Sequence, residues 1–259
     1  MLLTIDVGNT NITMGVYDDD KVVGSFRMTT KTPRTSDELG ILICNMMITK
    51  GINPDGIEYV IISSVVPKIM YSLTSSIKKY LNLDPMIINS DIKTGVTIKC
   101  DNPKEVGADR IVNVAAAYHT YKKACLVIDF GTATTYDYIS DDGVFQYTII
   151  SPGIEISAQA LVSQTAKLPD IEIKKPASIL ASNTINGMQA GLVYGYIGQV
   201  EYTIKQMKKE LGDDMLVIAT GGLGRIIVPE TDLIDLYDPD LAYHGMKIIF
   251  DLNKEDLIK

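Results

Sequence analysis

The chain of 259 residues contains no tryptophan, only two histidines and only three cysteines. Because His119 and His244 are the only imidazoles, a histidine-centred mechanism is poorly supplied, and we expect carboxylates to be the acid–base groups. The cysteines are odd in number and widely spaced, and no C-x-x-C pair occurs. This pattern argues against a disulfide framework or a structural zinc site and favours a reducing cytoplasm.

Long hydrophobic runs are also missing. No uninterrupted apolar run of about 18 residues occurs, so we expect no membrane span, and the residues from Met1 to Asp6 lack the pattern of a signal peptide. The net charge is −8 and the pI is near 4.8, which argues against general nucleic-acid binding because that requires a basic surface. ATP binding remains compatible, since loop amides, helix N-termini and a bound cation supply local positive potential.

One sequence pattern occurs twice, about half the chain length apart. Leu3–Thr10 and Leu126–Thr132 each contain an apolar run, an aspartate, a glycine two residues later and a hydroxyl residue. At a constant offset of 123 the identical pairs are Leu3/Leu126, Ile5/Ile128, Asp6/Asp129, Gly8/Gly131, Asp18/Asp141 and Asp19/Asp142. Strand-like residues follow each glycine turn, at Ile12–Tyr17 and Thr135–Ile139. Each copy is therefore predicted to be a β-hairpin that starts with a buried strand.

The two hairpin turns have the composition of phosphate-binding turns. Glycine allows backbone N–H groups to approach an anion, and nearby hydroxyls donate further hydrogen bonds. Two such turns facing each other across a cleft would hold a polyphosphate between two half-proteins. In this respect the motifs resemble the acetate kinase/sugar kinase/Hsp70/actin superfamily. That resemblance implies an α/β fold of duplicated ribonuclease H-like (actin-like ATPase) domains with a nucleotide cleft between them.

The remaining pattern alternates helices and strands. Thr35–Glu38 has the form of a capping box that starts a helix closed by Gly51, and Pro67 predicts the start of another helix. Further strands are predicted at Tyr59–Ser64, Met86–Asn89, Cys125–Phe130 and Leu216–Thr220, and further helices after Pro103–Arg110, near Ser157–Ala166, from Thr184 to Leu211 and near the C-terminus. A similar order in both halves predicts two domains, residues 1–120 and 121–259.

The segment Asn102–Arg110 places an acid and a guanidinium at the start of a predicted helix, just before the second phosphate motif. From spacing alone, Asp109 is either a helix-capping residue or a functional carboxylate, and Arg110 is either a surface cation or a ligand for polar groups. The P-loop pattern and the protein-kinase motifs are absent from the sequence. If the chain is a kinase, its catalytic groups belong to another class.

Taken together, the motifs closely resemble the type III pantothenate kinases of bacterial coenzyme A biosynthesis. The matching segments run in order along nearly the whole chain: Asp6–Thr10, Ile61–Pro67, Asn102–Arg110, Asp129–Thr135, Pro152-Gly153, Leu168-Pro169, Asn183-Thr184 and Thr220–Gly222. The resemblance implies ATP-dependent phosphorylation of pantothenate to 4′-phosphopantothenate. It also implies that two substrates, ATP and pantothenate, bind without nucleic acid or membrane.

The resemblance also assigns roles to individual residues. It places ATP at Asp6, Val7, Gly8, Asn9, Thr10, Asn11, Ile12, Thr13, Gly131, Thr132, Gly221 and Gly222, with Asp6 oriented toward the Mg²⁺–ATP complex. It places pantothenate at Gly107, Ala108, Asp109, Arg110 and Thr184, with Asp109 as general base. Asp129 would bind a monovalent cation, K⁺ or NH₄⁺, although a strand-end aspartate can also serve only as a turn former. Gly221-Gly222 can likewise be a plain connector.

Two further features bear on the substrate site. The family usually has tyrosine two residues before Asn102, where this chain has Cys100, so we do not count Cys100 as a site residue. Gly187, Gly191 and Gly195 form a small-residue stripe, which indicates tight helix packing either in the core or at a homodimer interface. The resemblance implies a homodimer in which Thr184 reaches the neighbouring subunit's pantothenate. Asn183-Thr184 also fits a helix cap.

Two other functions remain open at the level of sequence. One is a non-catalytic regulatory or accessory protein that kept this fold, although a retired site would not need its aspartates. The other is a different kinase or a phosphatase of the superfamily, acting on a sugar or a polyphosphate, which would have no need for the Gly107–Arg110 segment.

Overall fold

The computed structural model describes residues 1–89 and 91–257. In chain order the strands are β1 (Leu2–Val7), β2 (Asn11–Asp18), β3 (Lys21–Thr29), β4 (Tyr59–Ser64), β5 (Met86–Ile87), β6 (Thr97–Ile98), β7 (Cys125–Phe130), β8 (Ala133–Ile139), β9 (Val144–Pro152), β10 (Leu216–Thr220) and β11 (Leu236–Tyr237). The α-helices are α1 (Ser36–Thr49), α2 (Pro67–Leu81), α3 (Ala108–Tyr121), α4 (Ile154–Ser163), α5 (Thr184–Leu211), α6 (Gly224–Ile227) and α7 (Leu241–Leu257). Short 3₁₀ turns lie at Pro54–Gly56, Pro103–Glu105 and Val228–Glu230.

The chain forms two compact units. Unit 1 comprises Met1–Thr97, Asp101–Thr120 and Leu241–Lys259, and unit 2 comprises Ile98–Cys100 and Tyr121–Asp240. The predicted domain division between residues 120 and 121 stays a prediction, and the last two residues of its second domain, 258 and 259, lie outside the described residues.

Unit 1 is a five-stranded sheet with helices on both faces, in the order β3-β2-β1-β4-β5. Side chains alternate between the faces of a strand. Leu3, Ile5 and Val7 of β1 therefore share one buried cluster with residues of α1 and α2. Leu2 belongs to the other cluster, with residues of α3 and α7. Asp6 follows the alternation of Leu2 and thus lies on the face covered by α3.

Unit 2 has a sheet of six strands in the order β11-β10-β7-β8-β9-β6. Leu126, Ile128 and Phe130 of β7 pack on the buried side of the long helix α5, which contributes Val193 and Val200 among others. Without β6, the order β9-β8-β7-β10-β11 repeats that of unit 1. In both units the first strand is antiparallel to the second and parallel to the strand that follows the helices. This repetition confirms the predicted duplicated α/β architecture.

The register refines the repeat found in the sequence. Val7 pairs with Ile12, whereas Phe130 pairs with Thr134, so the turn of unit 2 is one residue shorter and the offset falls from 123 to 122. A β-bulge follows at the same place in both units, with Val23 and Gln146 as the extra residues. The offset of 123 returns after the next turn, where the loop of unit 2 is one residue longer. Asp18 and Asp141 are therefore identical by spacing without being structurally equivalent.

Most predicted element bounds are confirmed. The strands Tyr59–Ser64, Cys125–Phe130 and Leu216–Thr220 and the helix Thr184–Leu211 have the predicted limits, and Thr35 and Glu38 form the predicted capping box. Two predictions were inaccurate. The strand predicted at Met86–Asn89 ends at Ile87, and the helix predicted at Ser157–Ala166 runs from Ile154 to Ser163. This helix starts early because Gly153 is an extended N-cap directly after β9 and Ile154 is buried in the core. Among the described residues, no helix has the length and apolar character needed to cross a membrane.

Candidate functional site

The first predicted phosphate turn lies between β1 and β2. The Gly8 N–H donates to the carbonyl of Asn11 at 2.9 Å and closes the turn. The turn continues from the carboxyl end of β1, where the Val65 N–H donates to the carbonyl of Val7 at 3.1 Å. Asn9 at the tip is exposed and its neighbours are partly exposed. The structure therefore keeps the predicted nucleotide residues of this segment, Asp6 to Thr13, in one hairpin with an accessible tip.

Asp6 occupies an unusual environment for a carboxylate. Its neighbours across the sheet are Thr13 in β2 and Ser63 in β4. Its Oδ1 atom and the Ser63 Oγ atom are buried and have no hydrogen-bond partner of normal geometry among the described residues. Burial raises the pKa of Asp6 to about 7, the charge of Asp109 raises it further, and the nearby Ser63 hydroxyl lowers it slightly. Two carboxyl groups thus lie close together beside the turn, which favours a cation between or beside them.

Asp109 lies in the first turn of α3. Its Oδ1 atom accepts a hydrogen bond from the Arg110 N–H at 2.8 Å. The α3 N-terminus therefore supports this negative charge, since free N–H groups and the helix dipole favour anions there. The helix-capping interpretation is correct in this respect, and the interaction with Asp6 shows that the same carboxyl also belongs to the site. Both roles suit one residue.

Gly107 makes this arrangement possible. A Cβ atom on Gly107 would lie 2.5 Å from Asp109 Oδ1 and 3.3 Å from Val65 Cγ1. Any side chain here would therefore push the carboxyl away or displace β4's end. Ala108 and Arg110, the other predicted substrate residues of this segment, are partly exposed. Unit 1 thus brings together the first phosphate turn and the whole Gly107–Arg110 segment.

The second predicted phosphate turn lies between β7 and β8 in unit 2. Asp129 is next to the end of β7, and its sheet neighbours are Thr135 in β8 and Thr220 in β10. The Thr135 Oγ1 atom is buried and has no hydrogen-bond partner among the described residues. Gly131 and Thr132 form the turn itself. This is the same placement of an aspartate, a glycine and a hydroxyl residue as in unit 1.

Gly221 belongs to this second site because of its backbone. Its φ is +86°, and a Cβ atom would lie 2.5 Å from Asp129 Oδ1 and 2.7 Å from the Phe130 carbonyl oxygen. The Tyr237 hydroxyl donates to the Gly221 carbonyl at 2.9 Å and fixes the turn. The interpretation of Gly221-Gly222 as a plain connector is therefore incomplete, since Gly221 directly permits the position of Asp129. Gly222 is the exposed second residue of the turn.

Thr184 lies apart from the phosphate turn in the description of unit 2. It is the exposed first residue of α5, and the Asn183 side chain caps the helix by accepting from the Asn186 N–H at 2.9 Å. The helix-cap interpretation is confirmed for Asn183. Thr184 itself donates no capping bond that would explain its hydroxyl.

The described residues contain no group of three or more His, Cys, Asp or Glu side chains that could hold a metal ion. A divalent ion at Asp6 and Asp109 would therefore need oxygen ligands from another molecule. Mg²⁺ is commonly bound in this way, by one or two carboxylates together with substrate phosphates and water. The buried Oδ1 of Asp6 and the neighbouring carboxyl of Asp109 fit such a partial site.

Sequence reasoning did not identify Ser63 or Thr30 as parts of the site. Ser63 faces Asp6 across β1 and β4, and the Thr30 hydroxyl donates to the Gly8 carbonyl at 2.8 Å. Ser63 lies in a motif that resembles the family's, but its pairing with Asp6 depends on the parallel register of two strands. Thr30 stands 123 residues before Gly153, so the repeat offset was the available signal for it.

Comparisons with known proteins agree with one another. The model of the family "Type III pantothenate kinase" matches residues 2–206. Among curated proteins, the type III pantothenate kinase of Agathobacter rectalis is 54% identical and that of Bifidobacterium longum subsp. infantis is 47% identical. The first alignment covers 96% of both chains, and the second covers 98% of this chain and 99% of the relative.

Solved structures show the same fold at low identity. A conserved putative Baf family transcriptional activator from Campylobacter jejuni is 18% identical with a TM-score of 0.60, covering 98% of this chain and 99% of the other. The activator of 2-hydroxyisocaproyl-CoA dehydratase from Clostridium difficile, with bound ADPNP, is 12% identical with a TM-score of 0.54, covering 99% and 97%. At these identities they show the fold alone, and they confirm the predicted actin-like ATPase class. From its motifs, its duplicated fold and its near full-length similarity to curated relatives, the chain belongs to the type III pantothenate kinase family.

Proposed function

We propose that the protein transfers the γ-phosphate of ATP to the primary hydroxyl of pantothenate, with the site residues in the roles given below. The observation that carries these assignments is the pair of carboxyl groups, Asp6 and Asp109, beside a glycine turn in a member of this family. Phosphoryl transfer needs little covalent chemistry from a protein, because positioning and charge stabilisation supply most of the catalysis. A turn of backbone amides, a partial cation site and a second carboxylate are suitable parts.

Asp109 acts as the general base in this proposal. Its carboxylate accepts the proton of the pantothenate hydroxyl as that oxygen forms a bond to the γ-phosphorus and the bond from phosphorus to the ADP oxygen breaks. The bond from the Arg110 N–H and the N-terminus of α3 keep the Asp109 carboxylate in place. Arg110 binds polar groups of the substrate or neutralises charge that develops on the phosphate oxygens.

Asp6 is the carboxylate for Mg²⁺ that arrives with ATP. When bound, Mg²⁺ offsets the charge of the phosphate oxygens. The positive ion also removes the repulsion between Asp6 and Asp109 that raises the Asp6 pKa in the protein alone. The residues Gly8, Asn9, Thr10 and Asn11 supply the turn around the phosphates, and Val7, Ile12 and Thr13 flank it. Gly131, Thr132, Gly221 and Gly222 complete the nucleotide site from unit 2.

Asp129 holds a monovalent cation, K⁺ or NH₄⁺. Support comes from the oxygen atoms around Gly221, where Asp129 Oδ1 and the Phe130 carbonyl both approach, and from the buried Thr135 hydroxyl across the sheet. Oxygen ligands suit a hard cation of this kind. The alternative, in which Asp129 is only a turn former, does not explain why Gly221 leaves room for its carboxyl.

A homodimer with a shared substrate site completes the proposal. Cβ atoms on Gly191, Gly195 and Gly198 of α5 would have no neighbour within 4 Å, so this stripe does not pack in the core of unit 2. Large apolar side chains nearby in the sequence are exposed, with Leu180 86% and Ile179 61% accessible. An exposed glycine stripe with apolar neighbours suits close packing against a second copy, with Thr184 directed to the partner's pantothenate. The three free cysteines are consistent with a cytoplasmic location.

The test is direct. Purified protein is incubated with ATP, Mg²⁺, K⁺ and pantothenate, and the products are analysed by mass spectrometry for 4′-phosphopantothenate. Sugars and polyphosphate replace pantothenate in parallel reactions. Formation of 4′-phosphopantothenate supports the proposal. Phosphorylation of a sugar alone would indicate another kinase of the superfamily, and ATP binding without any phosphorylated product would indicate a regulatory protein.

A further inference from the structure

The residue that follows the third strand of each repeat is bonded to the phosphate turn of the same unit. In unit 1, Thr30 follows β3 and its N–H donates to the Thr10 carbonyl at 2.9 Å. In unit 2, Gly153 follows β9 and its N–H donates to the Thr132 carbonyl at 3.1 Å. Thr30 and Gly153 are separated by the repeat offset of 123 residues. The same backbone hydrogen bond therefore recurs at the equivalent place in both units.

The side chain at this position differs between the two units. The Thr30 Oγ1 atom donates to the Gly8 carbonyl at 2.8 Å. At Gly153 a Cβ atom would lie 2.5 Å from the Gly131 carbonyl oxygen and 2.4 Å from that of Thr132. Gly8 and Gly131 are the equivalent turn glycines. The turn carbonyl is thus held by a hydroxyl in unit 1, and in unit 2 the backbones approach so closely that a side chain is excluded.

The hydroxyl of Thr30 has a consequence for the amides of the first turn. In a planar trans peptide the C=O and the following N–H point in opposite directions. Because the Gly8 carbonyl is directed at Thr30, the Asn9 N–H is directed away from it. The Thr10 carbonyl bond fixes the Asn11 N–H in the same manner. Both N–H groups belong to the turn that the proposed function assigns to the ATP phosphates.

The backbone around Thr30 is itself anchored. The Arg34 guanidinium donates through Nη1 to the Thr29 carbonyl at 2.7 Å and to the Thr32 carbonyl at 3.4 Å. The Thr29 hydroxyl adds a longer bond of 3.4 Å to the Thr10 carbonyl. The segment after β3 is therefore a fixed support against which the turn is held. A turn held in its binding conformation loses less entropy when a ligand binds.

We propose that Thr30 is a positioning residue for ATP, whose hydroxyl fixes the orientation of the Gly8–Asn9 peptide in the first phosphate turn. It acts through Gly8 and not by contact with the reacting atoms. The proposal rests on the assignment of this turn to the ATP phosphates. It predicts a specific loss of nucleotide affinity when the hydroxyl is removed, with the pantothenate site unaffected.

The test compares three variants. Thr30→Val removes the hydroxyl at nearly constant shape, and Thr30→Ser retains it. Thr74→Val is the matched control, because the Thr74 hydroxyl also donates to a carbonyl, that of Met70 at 2.8 Å, in a partly buried position of α2. Binding of a non-hydrolysable ATP analogue with Mg²⁺ is measured by calorimetry without pantothenate, and KM is measured for both substrates. We expect about 5- to 10-fold weaker nucleotide binding in Thr30→Val, as for the loss of one hydrogen bond. Thr30→Ser and Thr74→Val should stay near the parent protein, and the KM for pantothenate should not change in any variant.

A second readout does not depend on catalysis. NMR relaxation order parameters of the Gly8, Asn9 and Thr10 amides are measured in the nucleotide-free protein. They should fall in Thr30→Val and recover in Thr30→Ser. If valine prevents folding, Thr30→Ala takes its place under the same criteria.

Three results would overturn the proposal: nucleotide affinity in folded Thr30→Val equal to that of Thr74→Val, a loss in Thr30→Ser as large as in Thr30→Val, or unchanged order parameters in the turn. Failure of the proposed function is seen separately, in the parent protein. If the parent forms no 4′-phosphopantothenate, the function is wrong, whereas normal turnover with an insensitive Thr30 refutes only the positioning role.

Discussion

At the scale of single residues, the equivalent aspartates of the two units have different neighbours. Asp6 lies beside a second carboxyl, Asp109, whereas Asp129 lies against the backbone of Gly221. Two nearby carboxylates repel each other and favour a divalent ion or a proton between them. A single carboxylate near carbonyl and hydroxyl oxygens suits a cation of lower charge. The repeat therefore supplies two sites of different charge from one motif.

Replacement of the proposed base should separate chemistry from binding. In Asp109→Asn the side chain keeps its shape and can still accept from the Arg110 N–H, but it cannot take up the substrate proton. We expect kcat to fall about 10²- to 10⁴-fold while the affinity for the ATP analogue stays within a few-fold of the parent. Steady-state kinetics and calorimetry measure the two quantities. Near-normal kcat, with chemistry shown to be rate-limiting, would remove Asp109 from the mechanism.

The raised pKa of Asp6 predicts how stability depends on pH. Its pKa in the folded protein is about 7, above the ordinary value of 3.8, so ionisation disfavours the folded state. The contribution of Asp6 to stability is fully present below about pH 3.8 and is lost as the pH rises through 7. Without nucleotide or Mg²⁺, Asp6→Asn should remove this loss. We expect it to be more stable than the parent at pH 8 by about 1–2 kcal/mol, a value reduced because the side chain is partly exposed.

Urea unfolding at pH 5 and pH 8 checks this expectation. Asp214→Asn, in an exposed loop of unit 2, is the control for a simple change of net charge. An equal pH dependence in Asp6→Asn and the parent would show that Asp6 is not the titrating group. The same variant should lose kinase activity, so the site aspartate would be a case of function maintained at a cost in stability.

Sequence alone identified Asp6 and Asp109 as candidates but could not bring them together. Their proximity depends on two facts of packing: Asp6 faces the side of β1 covered by α3, and α3 starts at Ala108. Ser63 was missed for the same reason, because it meets Asp6 only through the parallel pairing of β1 and β4. Local patterns report which residues are unusual, and the register decides which of them meet.

At the scale of elements, each site is formed where a strand ends in a turn with restricted backbone. Capping boxes, prolines and apolar periodicity were sufficient to predict most helices and strands, because those signals are local. The start of α4 was misplaced since the change from β9 to α4 occurs within Pro152-Gly153, without a loop. What decides that boundary is the close approach of Gly153 to the turn at Thr132, a contact with no local signature.

The turn at Gly221 offers a test at this scale. Gly221→Ala forces a side chain into positive φ and into contact with Asp129 and Phe130. We expect a loss of about 1–3 kcal/mol in the free energy of unfolding, together with weaker activation by K⁺ because the Asp129 carboxyl is displaced. Gly212→Ala is the matched control, since Gly212 also has a positive φ, +100°, but a Cβ there would meet nothing within 4 Å.

Chemical denaturation and a K⁺ titration of kinase activity, against a bulky non-coordinating cation, give the two readouts. If Gly212→Ala and Gly221→Ala change K⁺ activation equally, strain alone explains the effect, and the contact with Asp129 has no functional part.

At the scale of the whole molecule, the proposed dimer makes the most exposed prediction. Asp109→Asn and Thr184→Arg should each be nearly inactive alone. If each site combines Asp109 of one subunit with Thr184 of its partner, a mixed dimer regains one intact site. Random exchange should then restore about a quarter of the parent activity. Activity and native mass spectrometry are measured on the same mixture.

The control is a mixture of either variant with itself, carried through the same exchange. Mixed dimers without recovered activity would show that each site lies within one chain. Sequence predicted the stripe of glycines but left two environments open for it, the core or an interface. The structure excludes the core of unit 2 for Gly191, Gly195 and Gly198, because no atom other than their own helix lies near them.

The β-bulge shared by the two units records the order of events in the ancestry of the chain. Val23 and Gln146 are the extra residues at the same register position, whereas the turns on either side differ in length between the units. A feature present in both copies was inherited from a single ancestral copy, and a feature that differs arose after the gene segment was doubled. The bulge is thus older than the doubling, and the turn lengths are younger. A half-length ancestor with this bulge, folded as one hairpin-and-helix unit, would have needed a second molecule of itself to supply two turns to one nucleotide.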